Sequence, residues 1–177
     1  MNLFAIEPNP HNDVCYYSSA KSHDDFRVSK MIIESCQMLS TTAKTFGYDT
    51  RYKIAHLNHP STIWARQSLP NFNNLLCLGL SLRGEFGRRH NKLTHGCDDV
   101  LAHMAKLSQD SDFAKHFPST HETELPLCMP QEYKSADVVE SYRNYFSNKP
   151  NLRYYHTTPP SWIADYRSKD LPPIQIR

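Results

Sequence analysis

Between Asp24 and Phe46 the apolar residues Val28, Met31, Ile32, Leu39, Ala43 and Phe46, together with the small Ser35, recur at steps of three and four. Steps of that size return to one face of an α-helix, whereas a strand changes face at every residue. Asp24 stands where an N-cap is expected and Gly47 where a helix stops. The segment therefore predicts an amphipathic helix of about six turns, with an apolar stripe that other elements must cover.

The prolines divide the remainder into further helical pieces. Asn12 or Asp13 is expected to cap a short helix ending near Ala20. Tyr48 to His59 reads as a connector, with a brief extended piece over Arg51 to Ile54. Pro60 suits the first turn of a helix containing Trp64 and Ala65, and Pro70 forces a break or a new start. Phe72, Leu75, Leu76, Gly79, Leu82 and Phe86 then mark one stripe of a longer helix, with Arg83, Arg88 and Arg89 towards its C-terminal end, where the dipole favours cations. Asp98 and Asp99 are expected to cap Val100 to Leu107, Gln109 to Pro130 to form a polar, acidic loop, and Ala136 to Phe146 to form the last helix. From Lys149 to Arg177 prolines interrupt any helical period. Tyr154, Tyr155, Trp162 and Tyr166 nevertheless make the stretch too aromatic for disorder.

The expected fold is all-α: a single compact helical domain over residues 1–177, with about four to six helices and an extended, Pro- and aromatic-rich C-terminal segment. Its core is expected to include Val28, Ile32, Leu39, Trp64, Phe72, Leu76 and Phe86. A chain of 177 residues is long enough to bury such a core as one unit. The longest apolar run, Leu75 to Leu82, is broken by Gly79 and Ser81 and is too short to span a bilayer. The first seven residues have no basic start or apolar stretch, so a secretory leader is not expected. Five scattered cysteines without a Cys-x-x-Cys pair fit a reducing compartment, and the expected location is cytoplasmic, the host cytoplasm if the chain is phage-encoded.

Net charge is only +2, but its distribution is uneven. Arg51 to Lys106 carries eight Lys/Arg against three Asp/Glu, while Leu107 to Glu140 carries two against seven. The basic centre points to an anionic partner. Towards the C-terminus cations alternate with aromatics through Tyr142, Arg143, Tyr145, Phe146, Lys149, Arg153, Tyr154, Tyr155, His156, Trp162 and Arg167. Phosphates attract the former and nucleobases stack on the latter, although the aromatics would equally serve a core. DNA is the expected partner, with Arg66, Arg83, Arg88, Arg89, Arg143, Arg153, Tyr154, Tyr155 and Trp162 as candidate contacts.

On the long helix, Arg27, Lys30 and Glu34 fall on one flank beside the apolar stripe. They read either as a solvated ion-pair face or as an active-site acid whose cationic neighbours hold it ionised and attract phosphate. His56, His59, His90 and His95 have a metal-ligand flavour, but no third ligand converges at helical spacing, so neither a metal nor a cofactor is expected. The chain also has no Gly-rich phosphate loop and no Gly-x-Ser-x-Gly elbow.

Three stretches, Asp25 to Ser35 (DFRVSKMIIES), Asn58 to Ser68 (NHPSTIWARQS) and Met129 to Arg143 (MPQEYKSADVVESYR), resemble a family of small uncharacterised phage proteins, the likeness extending from Asp25 to Trp162. That family carries a histidine where this chain has Arg27. More distantly, the chain resembles phage endonuclease V, an all-helical pyrimidine-dimer DNA glycosylase and abasic-site lyase. Asp25 and Glu34 match in spacing an aspartate and the catalytic glutamate of that family's first long helix, and Pro130-Gln131-Glu132-Tyr133 is similar to its Pro-Gln-Glu-Phe. Tyr154-Tyr155 resembles its aromatic, basic DNA-holding tail. The resemblance implies an amine that attacks the sugar C1′, a Schiff base, and Glu34 as the stabilising carboxylate.

Two departures bear on the chemistry. The family uses the α-amine of a threonine exposed by loss of the initiator methionine, whereas the second residue here is Asn2, so the amine would belong to Met1 or Lys30. Ile33 stands where an arginine precedes the family's glutamate. The expected function is a DNA glycosylase/abasic-site lyase acting on damaged or modified bases, with Glu34, Met1, Lys30 and Arg27 as catalytic candidates. A DNA-binding accessory without chemistry and a phage DNA base-modification enzyme are the alternatives.

Overall fold

The computed structural model describes residues 2–11 and 13–176. The long helix is present as α2, Asp25–Thr45, with Asp24 at its N-cap position. It ends where Gly47, at φ +89°, adopts the left-handed conformation and donates its backbone N–H to Lys44 O, while Tyr48 N–H reaches back to Ala43 O. Its stripe packs chiefly on α4, Leu69–His90. Ser68 caps α4 through the Asn71 N–H, and Pro70 lies in its first turn, so the proline starts this helix. The crossing is close at Gly79, where a Cβ would come within 3.1 Å of Leu101 and 3.3 Å of Ser35.

Around this pair lie α1 (Tyr16–Ser22), α3 (Pro60–Ala65), α5 (Asp98–Leu107) and α7 (Val138–Ser147). Short helices α6 (Ser111–Ala114) and α8 (Ile163–Tyr166) and a 3-10 turn at Gln131–Tyr133 complete the helical content, giving eight α-helices among the described residues. The fold is mainly helical. Val28, Ile32, Leu39, Trp64, Phe72 and Leu76 are buried, whereas Phe86 is half-buried against His90 and His95. No helix among the described residues is long and apolar enough to cross a membrane.

The structure departs from the sequence expectations at several places. The helix count exceeds four to six because Asp110 accepts from the N–H groups of Asp112 and Phe113, capping α6 within the expected acidic loop, and because α8 forms within the C-terminal segment expected to be extended. Asp98 and Asp99 lie in the first turn of α5, with Cys97 at the cap position. Arg51 to Ile54 form no strand, and α1 starts beyond Asp13 at Tyr16; Asn12, the other expected cap, is outside the described residues. The all-α expectation meets one small parallel pair, β1 (Arg153–Tyr154) with β2 (Gln175–Ile176).

Arg89 sits where α1, α2, α4 and the C-terminal segment meet, and none of its side-chain surface is exposed. Its guanidinium donates to Lys21 O and His23 O at 2.8 Å each, to Asp25 at 3.1 Å and to Glu85 at 3.2 Å. Asp25 also accepts the Tyr155 and His156 N–H groups. Burial alone would push the Asp25 carboxyl up, but these donors and Arg89 outweigh it and hold the pKa below the usual value. Replacing Arg89 by Met should cost roughly 3–5 kcal/mol by stranding the two carboxylates, whereas Arg88→Met, at a side chain 57% exposed, should cost under about 1 kcal/mol. Urea unfolding of the two variants checks this, and equal losses would contradict it.

His23 lies fully buried beside this network, its Nδ1 2.6 Å from Ser19 O and its Nε2 without a hydrogen-bond partner among the described residues. The ring is therefore neutral, with the proton on Nδ1. Burial, aided by Arg27 and Arg89, lowers its pKa from 6.5 to about 4. The unfolded chain thus binds this proton first, so stability is present above the unfolded pKa and is lost as pH falls from about 6.5 towards about 4. The loss should total about 3 kcal/mol, and His23→Gln should flatten that limb in urea midpoints compared at pH 7 and pH 4.5. An unchanged slope in the variant would remove His23 as its source.

Candidate active site

Glu34 faces a cavity of about 160 Å³ bounded by the first turns of α2, the end of α7 and the N-terminal segment. Arg27, Lys30, Met31 and Phe26 form one wall, Tyr145 and Lys149 the opposite one, and Asn2 and Phe4 of the N-terminal segment complete the lining. The volume is on the scale of a cavity of roughly 150 Å³ that admits a benzene-sized ring. Steps of three and four along α2 bring Arg27, Lys30 and Glu34 together as expected.

The Lys30–Glu34 pair, at 3.3 Å, is lopsided: the lysine side chain is 55% exposed and the glutamate 13%. The carboxylate is sunk into the cavity while its partner stands at the rim. Arg27 is buried and held by Asp24 at 2.9 Å, with its guanidinium 5.6 Å from the Phe146 ring centre. Burial pushes the Asp24 carboxyl up, against the pull of Arg27. Arginine keeps its charge in proteins, so Arg27 contributes a fixed positive charge to the cavity wall.

Two features of the opposite wall carry chemical information. Phe4 adopts φ +45°, an unfavourable conformation for a bulky residue, and is locked by edge contacts with His23 and Phe146 and by stacking on Tyr145. Such strain persists only where the surroundings over-determine it, and it concentrates at functional sites. Lys149, just beyond the α7 C-cap, places Nζ 3.4 Å from the Tyr145 ring centre. Burial, then Arg27 and Lys30, lower its pKa from 10.5 to about 8. In the sequence Lys149 is one cation among several, because its proximity to α2 depends on tertiary packing.

Asn2 is fixed in place: its side-chain amide donates to Cys128 O and its Oδ1 accepts from Leu3 N–H, both at 2.9 Å. Met1, the other expected amine, lies outside the described residues. His59 caps α3 by accepting the Ser61 N–H; burial lowers its pKa, and Glu34 is among the charges acting on it in the opposite direction. No three His, Cys, Asp or Glu residues are grouped as metal ligands among the described residues.

At the mouth, Phe26 is 57% exposed and lines both this cavity and a second one of about 300 Å³, shared with Arg27, Pro150, Asn151 and Arg153. Arg153 is exposed and lines this second cavity beside Arg27. Tyr155 is partly exposed, with its hydroxyl on Gln175.

The other expected DNA contacts are dispersed and largely engaged. Arg89 is buried in the network above, and Tyr154 lies in the core with its hydroxyl donating to Ser22 O, so neither is available at the surface. Arg83 pairs with Asp98 and donates to Leu93 O, and Arg88 pairs with Glu85. Arg143 binds Glu7 and Ile6 O and lies 4.8 Å from the Trp162 ring centre, while Trp162 donates to Glu7. Arg66 donates to Leu57 O. Local sequence cannot distinguish such internal ion pairs from a phosphate-binding surface.

The larger groove, about 670 Å³, carries Asp13, Glu122, Glu124 and Asp137 without a Lys or Arg among its lining residues. Its charge disfavours a polyanion, so size alone does not identify the site. Comparison of the chain with protein-family models, curated proteins and solved structures returns no match.

Proposed function

We propose that this protein acts on DNA as a glycosylase/abasic-site lyase-like enzyme, with Glu34 as its catalytic carboxylate and an amine of the same cavity as nucleophile. The observation that carries this reading is the burial of Glu34 in a cation-walled cavity that also holds an amine with a lowered pKa. A solvated ion-pair face would leave the carboxylate in water.

Each part has a physical task. Lys30 and Arg153 at the rim attract the phosphodiester backbone, and Phe26 offers a face on which a base can stack. A nucleotide must leave the duplex for its C1′ to enter the cavity. The Glu34 carboxylate, set between Arg27 and Lys30, opposes the positive charge developing on the sugar as the base departs and accepts the proton released by the attacking amine. The substrate class is a damaged or modified base in DNA.

Charge reversal at Lys30 or Arg153 should weaken duplex binding for all sequences alike, and if each makes one phosphate contact the salt slope should fall by about 0.9 per residue. Arg83→Glu should lower stability instead, since it opposes Asp98 with a like charge. Fluorescence anisotropy over a salt series checks this, and affinity indifferent to salt would argue against a phosphate surface.

Glu34→Gln retains shape and should retain fold and DNA affinity, but base release should fall by about 10²–10⁴-fold, because an amide neither opposes the sugar cation nor accepts the proton. The measurement is release of damaged or modified bases at matched protein concentration, with borohydride trapping on abasic-site DNA as the second readout. Full activity in Glu34→Gln would remove this carboxylate from the mechanism. A wild type that releases no base and forms no adduct would leave the binding-module reading.

A further inference from the structure

We propose that Lys149 is the amine that forms the covalent sugar adduct, an inference that rests on the glycosylase/lyase reading above and names its nucleophile. Lys149 lines the same cavity as Glu34, on the wall facing α2, with its Nζ against the Tyr145 ring. Burial in the cavity wall desolvates the ammonium, and Arg27 and Lys30 supply like charge from across the cavity. Both effects favour the neutral amine, the only form with a lone pair to donate. At a pKa of about 8 roughly a tenth of the molecules carry that form at pH 7, against about one in three thousand for an ordinary lysine. Lys30 is the poorer candidate: its side chain is half in solvent at the rim and its ammonium is already engaged by Glu34 at 3.3 Å.

The Lys149 Nζ lone pair attacks C1′, and the glycosidic C1′–N bond breaks with its electron pair leaving on the base. Glu34 takes a proton from Nζ and passes it to the departing base. The C1′–O4′ bond then opens, O4′ takes a proton from solvent, and a protonated Schiff base joins Nζ to C1′. Water reverses the linkage. Alternatively, removal of a C2′ proton expels the 3′ phosphate by β-elimination, after which hydrolysis frees the lysine.

The test uses the full-length protein and a duplex containing one abasic site, treated with sodium borohydride, which reduces the Schiff base to a stable secondary amine. Proteolysis and mass spectrometry of the wild-type adduct should place the sugar remnant on Lys149. Lys149→Arg keeps a cation without a usable nucleophile and should trap roughly 10²-fold less or worse while retaining duplex affinity. The wild-type trapping rate should rise with pH through about 8, and Lys30→Gln, by removing a like charge, should move that rise to higher pH. An adduct mapped to Lys30 or to the chain's α-amine, or undiminished trapping by Lys149→Arg, would overturn the role of Lys149 and leave the glycosylase/lyase reading intact. Absence of any wild-type adduct or base release would overturn both. Mapping the wild-type adduct requires no variant to fold.

Discussion

The buried guanidinium of Arg89 joins α1, α4 and the C-terminal segment to α2, the helix that carries Glu34. It satisfies two carbonyls at the end of α1, binds Asp25 in the first turn of α2 and Glu85 one turn back on α4, and through Asp25 reaches the backbone of Tyr155 and His156. A charge in that position is tolerable only because every neighbour is arranged to meet it. The arrangement also fixes where α2 begins, and hence the height at which Arg27, Lys30 and Glu34 emerge along its flank.

Three carboxylates on or beside this helix illustrate how position assigns their roles. Asp24 and Asp25 lie at its N-terminus and are engaged by Arg27, Arg89 and C-terminal backbone N–H groups, so they organise structure. Glu34, more than two turns further on, has left that network and faces the cavity. Arg27 links the two regions, bound to Asp24 on one side while lining the Glu34 cavity on the other. Any shift of the α2 start would therefore disturb the electrostatics around Glu34 as well as the packing.

Much of the scaffold is legible in the chain because its signals are local. The period of α2, the stop at Gly47 and the starts at Pro60 and near Pro70 depend on neighbours within a few residues, and the helices follow them closely. The grouping of Arg27, Lys30 and Glu34 is legible for the same reason. Lys149 and Arg89 are not. Arg88 and Arg89 are adjacent in sequence, but the turn of about 100° between consecutive helical residues sends one to solvent and the other into the core. Lys149 reaches the cavity only because α7 packs back across the N-terminal segment, a relation between residues more than a hundred positions apart. Asp110 is a different failure: its capping signal is local, but the polar composition around it hides a helix of four residues.

The acidic stretch of the sequence supplies Glu122, Glu124 and Asp137 to a groove at one end of α7, whereas the cavity cations Arg27, Lys30, Lys149 and Arg153 all lie outside the basic centre at 51–106. The first residues of α7, Val138 and Val139, line the acidic groove, whereas Tyr145 and the following Lys149 line the Glu34 cavity. Eleven residues of rise separate these ends by roughly 16 Å if the helical advance continues to Lys149. That distance is about twice the Debye length of about 8 Å at physiological ionic strength. Through screened solvent, charges at the two ends of α7 therefore act only weakly on each other. Near the cavity the cations dominate at short range, and near the groove the carboxylates do. The groove's carboxylates disfavour a polyanion, whereas the cavity walled by Arg27, Lys30 and Lys149 concentrates positive charge in a protein whose net charge is only +2.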